Sequence, residues 1–288
     1  MYAGIIGDLS TIITIQIFKT MKQIAYIFAA MLALAAFISC GNKSNTASDA
    51  TSSEEPQSVE INRSLSTRLD SLTSCWLRLN QAAFFASAQC SNVLLSSDNK
   101  KVKPDYLADP ATIEPLLETL CLKYRALAVF QVDRSIAELY DMRDVYTPSL
   151  KKISAQLNDP AIELLQNAQG DYGQIATQIY DMEEESGRVS MFWQMAASYL
   201  IEQLFVLTKS ENMILASLTD QDADELTMRL SVLVDTFADL ARYEPELANI
   251  YDVLKSLQKI NAVTVDELRG QLDSVKADIE NARKALFI

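Results

Sequence analysis

The sequence predicts an all-α fold: a bundle of about seven to eight helices in up-and-down order, preceded by a disordered tether. Three observations lead there. Apolar residues recur at steps of three and four through most of the chain, and no segment shows the strict alternation of a half-buried strand. Turn signals are sparse, with only 7 glycines and 7 prolines in 288 residues. The C-terminal segment holds a seven-residue apolar repeat.

The elements follow in order. Leu65, Leu69, Leu72, Trp76, Leu79, Ala83, Ala86, Cys90 and Val93 form one apolar seam, so a first helix is expected over about 59–95. Pro104 and Pro110 break the chain. A second helix is expected over about 110–146, with Ile113, Leu117, Leu120, Tyr124 and Leu127 on one side. Pro148 and Pro160 bracket a shorter third helix, since proline is tolerated in a first helical turn. A fourth covers about 160–185, with an interruption near Gly170. A fifth covers about 188–208 and carries Phe192, Trp193, Tyr199, Leu200 and Leu204. Leu226, Leu230, Leu233 and Phe237 mark a sixth over about 221–242. Leu247, Tyr251, Leu254 and Leu257 mark a seventh over about 244–260. The eighth opens at Thr264 and Glu267, a capping-box pair. It continues through Val265, Leu268, Leu272, Val275, Ile279, Ala282 and Leu286. No 34-residue repeat suggests a solenoid, and short connections favour a bundle.

Ahead of the helices lies an apolar run from Ile24 to Ser39, preceded by Lys22 and ended by Cys40. At about 16 residues, or ~24 Å as a helix, it is short for a bilayer. The layout is that of a signal peptide, with a charged start, an apolar middle and a small residue at the cut. The cysteine at the cut resembles a bacterial lipoprotein signal, although Phe37 stands where leucine is usual. Residues 1–39 are therefore expected to be removed and Cys40 acylated. The alternative is a cysteine that ends an uncleaved anchor. Met21 followed by Lys22 begins a complete signal by itself, so translation is expected to start at Met21. Residues 41–58 are rich in Ser, Thr, Asn and Ala. Such a segment buries too little surface to offset its ordering entropy. It is expected to form, with Cys40, a flexible leash over 40–58 with a reach of ~20–25 Å. The helical domain is expected over 59–288. Some Bacteroidota lipoproteins carry an acidic cluster directly after the cysteine that resembles a surface-export signal; Gly41, Asn42, Lys43 and Ser44 stand there here, so that resemblance implies the inner face of the outer membrane.

Charge excludes one class of partner. The chain carries 25 basic and 38 acidic residues, a net −13. Loss of Lys19, Lys22 and Asp8 with the signal takes this to −14. Such a domain repels nucleic acid and anionic headgroups. The absence of histidine removes Ser-His-Asp and Cys-His catalysis, a histidine base and histidine-containing metal sites. No glycine-rich phosphate loop, G-x-S-x-G or C-x-x-C occurs. No cofactor and no metal are expected.

Cys75, Cys90 and Cys121 remain beyond the anchor. An oxidising compartment permits a disulfide. Cys75 and Cys90 lie ~22 Å apart on one continuous helix and cannot bridge. If the first two helices pair antiparallel, Cys90 near the end of one and Cys121 about three turns into the other come level. Cys90–Cys121 is therefore the expected pair. The alternative is three buried thiols acting as small hydrophobes.

Other constellations have bland readings beside sharper ones. Asp220, Asp222, Asp224 and Glu225 resemble half a calcium loop, but position six is Glu225 and position twelve is Ser231. Acids at a helix start are also what the helix dipole favours. Asp181, Glu183, Glu184 and Glu185 suggest metal binding or, in preference, a solvated segment between helices. Met191, Phe192, Trp193, Gln194 and Met195 suit the core of a central helix better than a pocket. Tyr140, Tyr180 and Tyr251, each followed by aspartate, are placed equally well at a cavity rim or at core edges.

Leu127 through Asp133, running on to Tyr146, and Phe192 through Leu207 resemble a group of all-helical Bacteroidota lipoproteins. The resemblance covers about residues 110–210 and rests on patterning. It implies fold and location, and no catalytic residue carries over. The reading that follows is a membrane-tethered envelope lipoprotein that acts through protein contact and is not an enzyme. Its partners are the lipid bilayer, through Cys40, and an envelope protein. The alternative is a solute-binding lipoprotein whose apolar pocket is rimmed by Tyr180, Trp193 and Tyr251.

Overall fold

The computed structural model describes residues 55–79, 104–140, 142–167, 172–210, 214–215 and 218–288. Among them are ten α-helices and no strand. In chain order the helices are α1 (Glu55–Leu79), α2 (Pro110–Ile113), α3 (Leu120–Leu139), α4 (Thr147–Leu157) and α5 (Pro160–Asn167). The rest are α6 (Tyr172–Glu185), α7 (Val189–Lys209), α8 (Asp220–Leu240), α9 (Ala248–Leu257) and α10 (Val265–Ala285). Residues 55–288 form one compact unit. The segment expected to be a signal, Cys40 and Cys90 lie outside the described residues.

At the centre, α7 lies along α3 in the most extensive helix pairing of the domain. From Met191 to Leu207 every residue of α7 except Tyr199 is buried. A helix apolar on most of its surface demands cover on every side. The helices α3, α6, α8 and α10 provide it, with a smaller contribution from α9. Neighbours in sequence also pack: α3 with α4, α5 with α6, α8 with α9, and α9 with α10. The helix α1 closes the bundle against α8. There the buried Arg229 donates from Nη2 to the Leu79 carbonyl at 2.9 Å, and Arg68 Nε reaches Asp239 at 2.8 Å.

The long second helix expected over 110–146 is divided. Asp109 caps α2 by accepting from Ala111 N, and Pro110 opens it. A 3-10 turn follows at Glu114–Leu116. Pro115 brings no N–H to continue the ladder, and Leu117, at φ −80° and ψ 58°, leaves the helical region. Thr119 then starts α3 afresh, its hydroxyl accepting from Leu122 N at 3.2 Å. At the far end α3 stops at Leu139, and residues 143–145 form another 3-10 turn. Cys121 is thus the second residue of α3, not three turns into a longer helix.

Local sequence sets most other boundaries. Asn158, at φ 47°, ends α4 in the left-handed region, and Asp159 accepts from Ala161 N to start α5. Gly170, where an interruption is expected, lies outside the described residues. Gly187, at φ 71°, ends α6. Arg188 N donates to Glu183 O at 2.7 Å and Gly187 N to Glu184 O at 3.1 Å, the paired bonds of a Schellman end.

The acids at 220–225 serve the start of α8. Thr219 and Asp222 form a reciprocal capping box, and Asp220 Oδ1 accepts from Val265 N at 2.9 Å, tying the start of α8 to that of α10. The Thr264 cap of α10 forms as expected through Glu267 N. The returning carboxylate of Glu267 binds Val263 N instead of the cap's own N–H. The seven-residue seam of α10 is buried from Leu268 to Leu286.

Core and cap contribute on different scales. Leu204→Ala, in the middle of α7, is expected to lower stability by about 2–5 kcal/mol. Thr219→Ala is expected to cost about 1 kcal/mol. Urea midpoints with an unchanged m value check both.

Candidate functional site

Two pairs of carboxyl groups are sealed inside the bundle, both reached from α3. The first joins α3, α7 and α10. Asp133 on α3 and Glu202 on α7 are both 0% exposed. Arg283, in the last turn of α10, donates from Nε to both Glu202 oxygens at 3.0 and 2.7 Å. Its guanidinium also lies 4.1 Å from the Phe205 ring centroid. Asp133 Oδ2 accepts from Ala108 N at 2.8 Å, and Tyr146 donates to Ala108 O at 2.7 Å. Asp133 Oδ1 is buried without a donor from any N–H or hydroxyl. The Asp133 carboxyl lies within hydrogen-bonding reach of Glu202.

Two carboxylates beside one guanidinium in a dry site leave an excess negative charge, which burial makes costly. A proton between the two carboxyls removes it. Burial pushes the Asp133 carboxyl well above the usual range, and the Glu202 charge pushes it further. Burial also raises Glu202, against the pull of Arg283. Asp133 is thus the protonated member, donating to the carboxylate that Arg283 holds.

The second pair joins α3, α5 and the end of α6. Asp159 and Glu183 are 1% and 0% exposed. The Tyr124 hydroxyl, on α3, donates to Asp159 Oδ2. Ala161 N reaches Asp159 Oδ1 at 3.0 Å, and Arg188 Nη2 reaches the same oxygen at 3.0 Å. Arg188 Nε lies 3.2 Å from Glu183 Oε2. Glu183 Oε1 has no N–H or hydroxyl donor, and the Glu183 carboxyl lies within hydrogen-bonding reach of Asp159. Burial, then the hydrogen bond to Asp159, raises Glu183 to about 7. The preference for a solvated acid run at 181–185 therefore fails at one position. Asp181, Glu184 and Glu185 face solvent, but Glu183 falls on the buried stripe of Ala176 and Ile179.

A smaller polar contact joins the same helices. Arg125 Nε donates to Gln194 Oε1 at 2.9 Å, and Gln194 Nε2 lies 3.5 Å from Cys121 Sγ. Cys121 is a free thiol, and its expected partner Cys90 is outside the described residues.

The proposed pocket residues are placed as follows. Trp193 is 0% exposed, packed edge-on against Trp76 at 5.9 Å and Phe192 at 5.4 Å. Tyr180 joins the same ladder through Phe192 at 5.2 Å. Tyr251 is half-buried on α9, with Lys255 Nζ 5.5 Å from its ring centroid. The cluster at 191–195 is core, as expected.

Paired carboxyls with divergent proton affinities are the ingredients of acid–base chemistry. Such chemistry also needs contact between the acid and the reacting atoms. All four carboxyls here are at most 1% exposed. What the geometry does is bind helices together: α3 to α7 and α10 in one place, α3 to α5 and α6 in the other. Sequence reasoning missed both pairs. The available signal was a lone acid in an apolar stripe: Asp133 after Val132, Glu202 beside Ile201, Glu183 four residues after Ile179.

Among the described residues no cluster of three metal-binding side chains occurs, and no helix is long and apolar enough to cross a membrane. No protein family, curated protein or solved structure matches the chain.

Arg283→Ala strands two buried carboxyls beside each other and is expected to cost about 3–5 kcal/mol. Pairing Arg283→Met with Glu202→Gln is expected to recover most of that loss. A double-mutant cycle on urea unfolding measures the coupling.

Proposed function

We propose that this protein is a lipoprotein of the cell envelope, held at a bilayer by acylated Cys40, that works through contact with another protein and performs no catalysis. Its address is the outer membrane, facing the periplasm. Support for the anchor is the apolar run of 24–39 ending in a small residue and a cysteine, followed by a polar stretch. Support for a protein partner, in place of nucleic acid, is the net charge of −13.

One observation carries the choice between contact and enclosure of a solute. Trp193, the residue best placed to line a cavity, is sealed in an aromatic ladder with Trp76, Phe192 and Tyr180. A ligand pocket keeps its apolar lining open to the ligand. Here that surface is spent on core packing.

A palmitate analogue fed to cells is expected to label the wild-type chain, and Cys40→Ala is expected to lose both label and membrane fractionation. An unlabelled wild-type chain overturns the anchor. A photo-crosslinker placed at the exposed Tyr243 or Val263 is expected to yield a discrete heavier protein adduct that depends on Cys40. Release of a stoichiometric small molecule in native mass spectrometry would instead establish the solute-binding alternative.

A further inference from the structure

The Asp159–Glu183 pair sits where three elements meet and where one charged group reaches solvent. Asp159 accepts three donors: Tyr124 Oη, Ala161 N and Arg188 Nη2. Glu183 accepts one, from Arg188 Nε, and keeps a buried oxygen that no N–H or hydroxyl satisfies. Donor accounting therefore puts the proton on Glu183, aimed at Asp159. In that state the cluster holds one carboxylate, one guanidinium and no net charge. Arg188 is 32% exposed on its side chain, so the cluster is one residue deep from water.

The backbone makes the same contact a hinge point. The Schellman end of α6 returns Arg188 N to Glu183 O, so the residue that pairs with the Glu183 carboxyl also closes its helix. Losing the side-chain contact loosens the turn at 186–188 and the end of α6 together.

We propose that Tyr124, Asp159, Glu183 and Arg188 form a proton-dependent latch that fastens the end of α6 and the 186–188 turn to α3 and the start of α5. The latch is closed while one proton lies between the two carboxyls and loosens when that proton leaves. Loss of the proton leaves two adjoining buried carboxylates facing one guanidinium, an arrangement that favours opening to water.

Other charges around α6 do not replace the proton. Asp181, Glu184 and Glu185 on α6 itself, Glu163 on α5, and Arg68, Asp70 and Arg78 on α1 are exposed. The first turn of α7, Val189 to Phe192, carries no charged side chain. The chain has no histidine, the side chain that ordinarily titrates between about pH 5 and 8. A response near neutrality must therefore come from groups such as Glu183, which burial and Asp159 raise to about 7 from an ordinary 4.5. The closed state binds the proton more tightly than the open one. The stabilisation is therefore complete below the ordinary value and is lost as pH rises through about 7. From pH 6 to pH 8 the open population should grow about tenfold.

Hydrogen exchange of the full chain, followed in α6 and residues 186–188 and corrected for the intrinsic rate, reads that population. Wild type is expected to show the rise of about tenfold. Glu183→Gln, whose amide donates to Asp159 and accepts from Arg188 without titrating, is expected to change less than twofold. Asp133→Asn, in the other pair, is expected to keep the wild-type response. A flat wild-type profile, an unchanged response in Glu183→Gln, or its loss in Asp133→Asn overturns the proposal. If Glu183→Gln does not fold, site-assigned carbon-13 titration of wild type decides. A Glu183 midpoint near 7 supports the latch and one near 4.5 overturns it.

Discussion

Burial of α7 on all sides is the constraint to which the other helices answer. A helix whose residues from Met191 to Leu207 are almost all hidden cannot sit at a surface. It must be laid against α3 and then covered by α6, α8 and α10. Its apolar side chains supply the driving force. Two of its polar ones, Gln194 and Glu202, set the alignment, because a buried polar group without a partner costs more than most apolar contacts return. Arg125 satisfies Gln194, and Arg283 with Asp133 satisfies Glu202. The apolar seam brings the helices together, and the polar ties select one register among several apolar alternatives.

The two carboxyl pairs share a logic. Each combines two acids, one arginine and one backbone N–H donor in a dry site, with the Tyr124 hydroxyl added in the second. Each leaves one carboxyl oxygen that only a shared proton satisfies. They differ in depth and attachment. Asp133 and Glu202 lie on the two central helices, so their contact is framed by the largest helix pairing in the domain. Asp159 and Glu183 lie at the ends of short elements, where fewer neighbours hold the backbone. Local opening costs least at such places. The same chemistry is thus a structural tie in one location and a conformational control in the other.

The aromatic ladder of Trp76, Trp193, Phe192 and Tyr180 connects this interior to the functional reading. Large rings in edge-on contact fill volume that a binding protein would leave open. A domain closed in this way presents its outer surface to the world, and that surface is acidic. The segment expected to act as a leash over 40–58 is shorter than the sequence suggests, because α1 already begins at Glu55.

Much of the fold was legible because helix boundaries are local. Thr264, Asp109, Pro148 and Pro160 act within one turn, and the seam from Leu268 to Leu286 repeats within one helix. The division at Pro115 was also written locally, but the apolar pattern runs on across it and periodicity alone reads through. The carboxyl pairs were not legible. Glu183 looks like its neighbours Glu184 and Glu185, and only the arrival of Asp159, 24 residues earlier in the chain, makes it a buried acid. Sequence by itself determined the all-helical class, many of the helix ends and the absence of histidine chemistry. Tertiary structure decided which acids lost their water, because desolvation depends on what packs against a side chain from elsewhere in the chain.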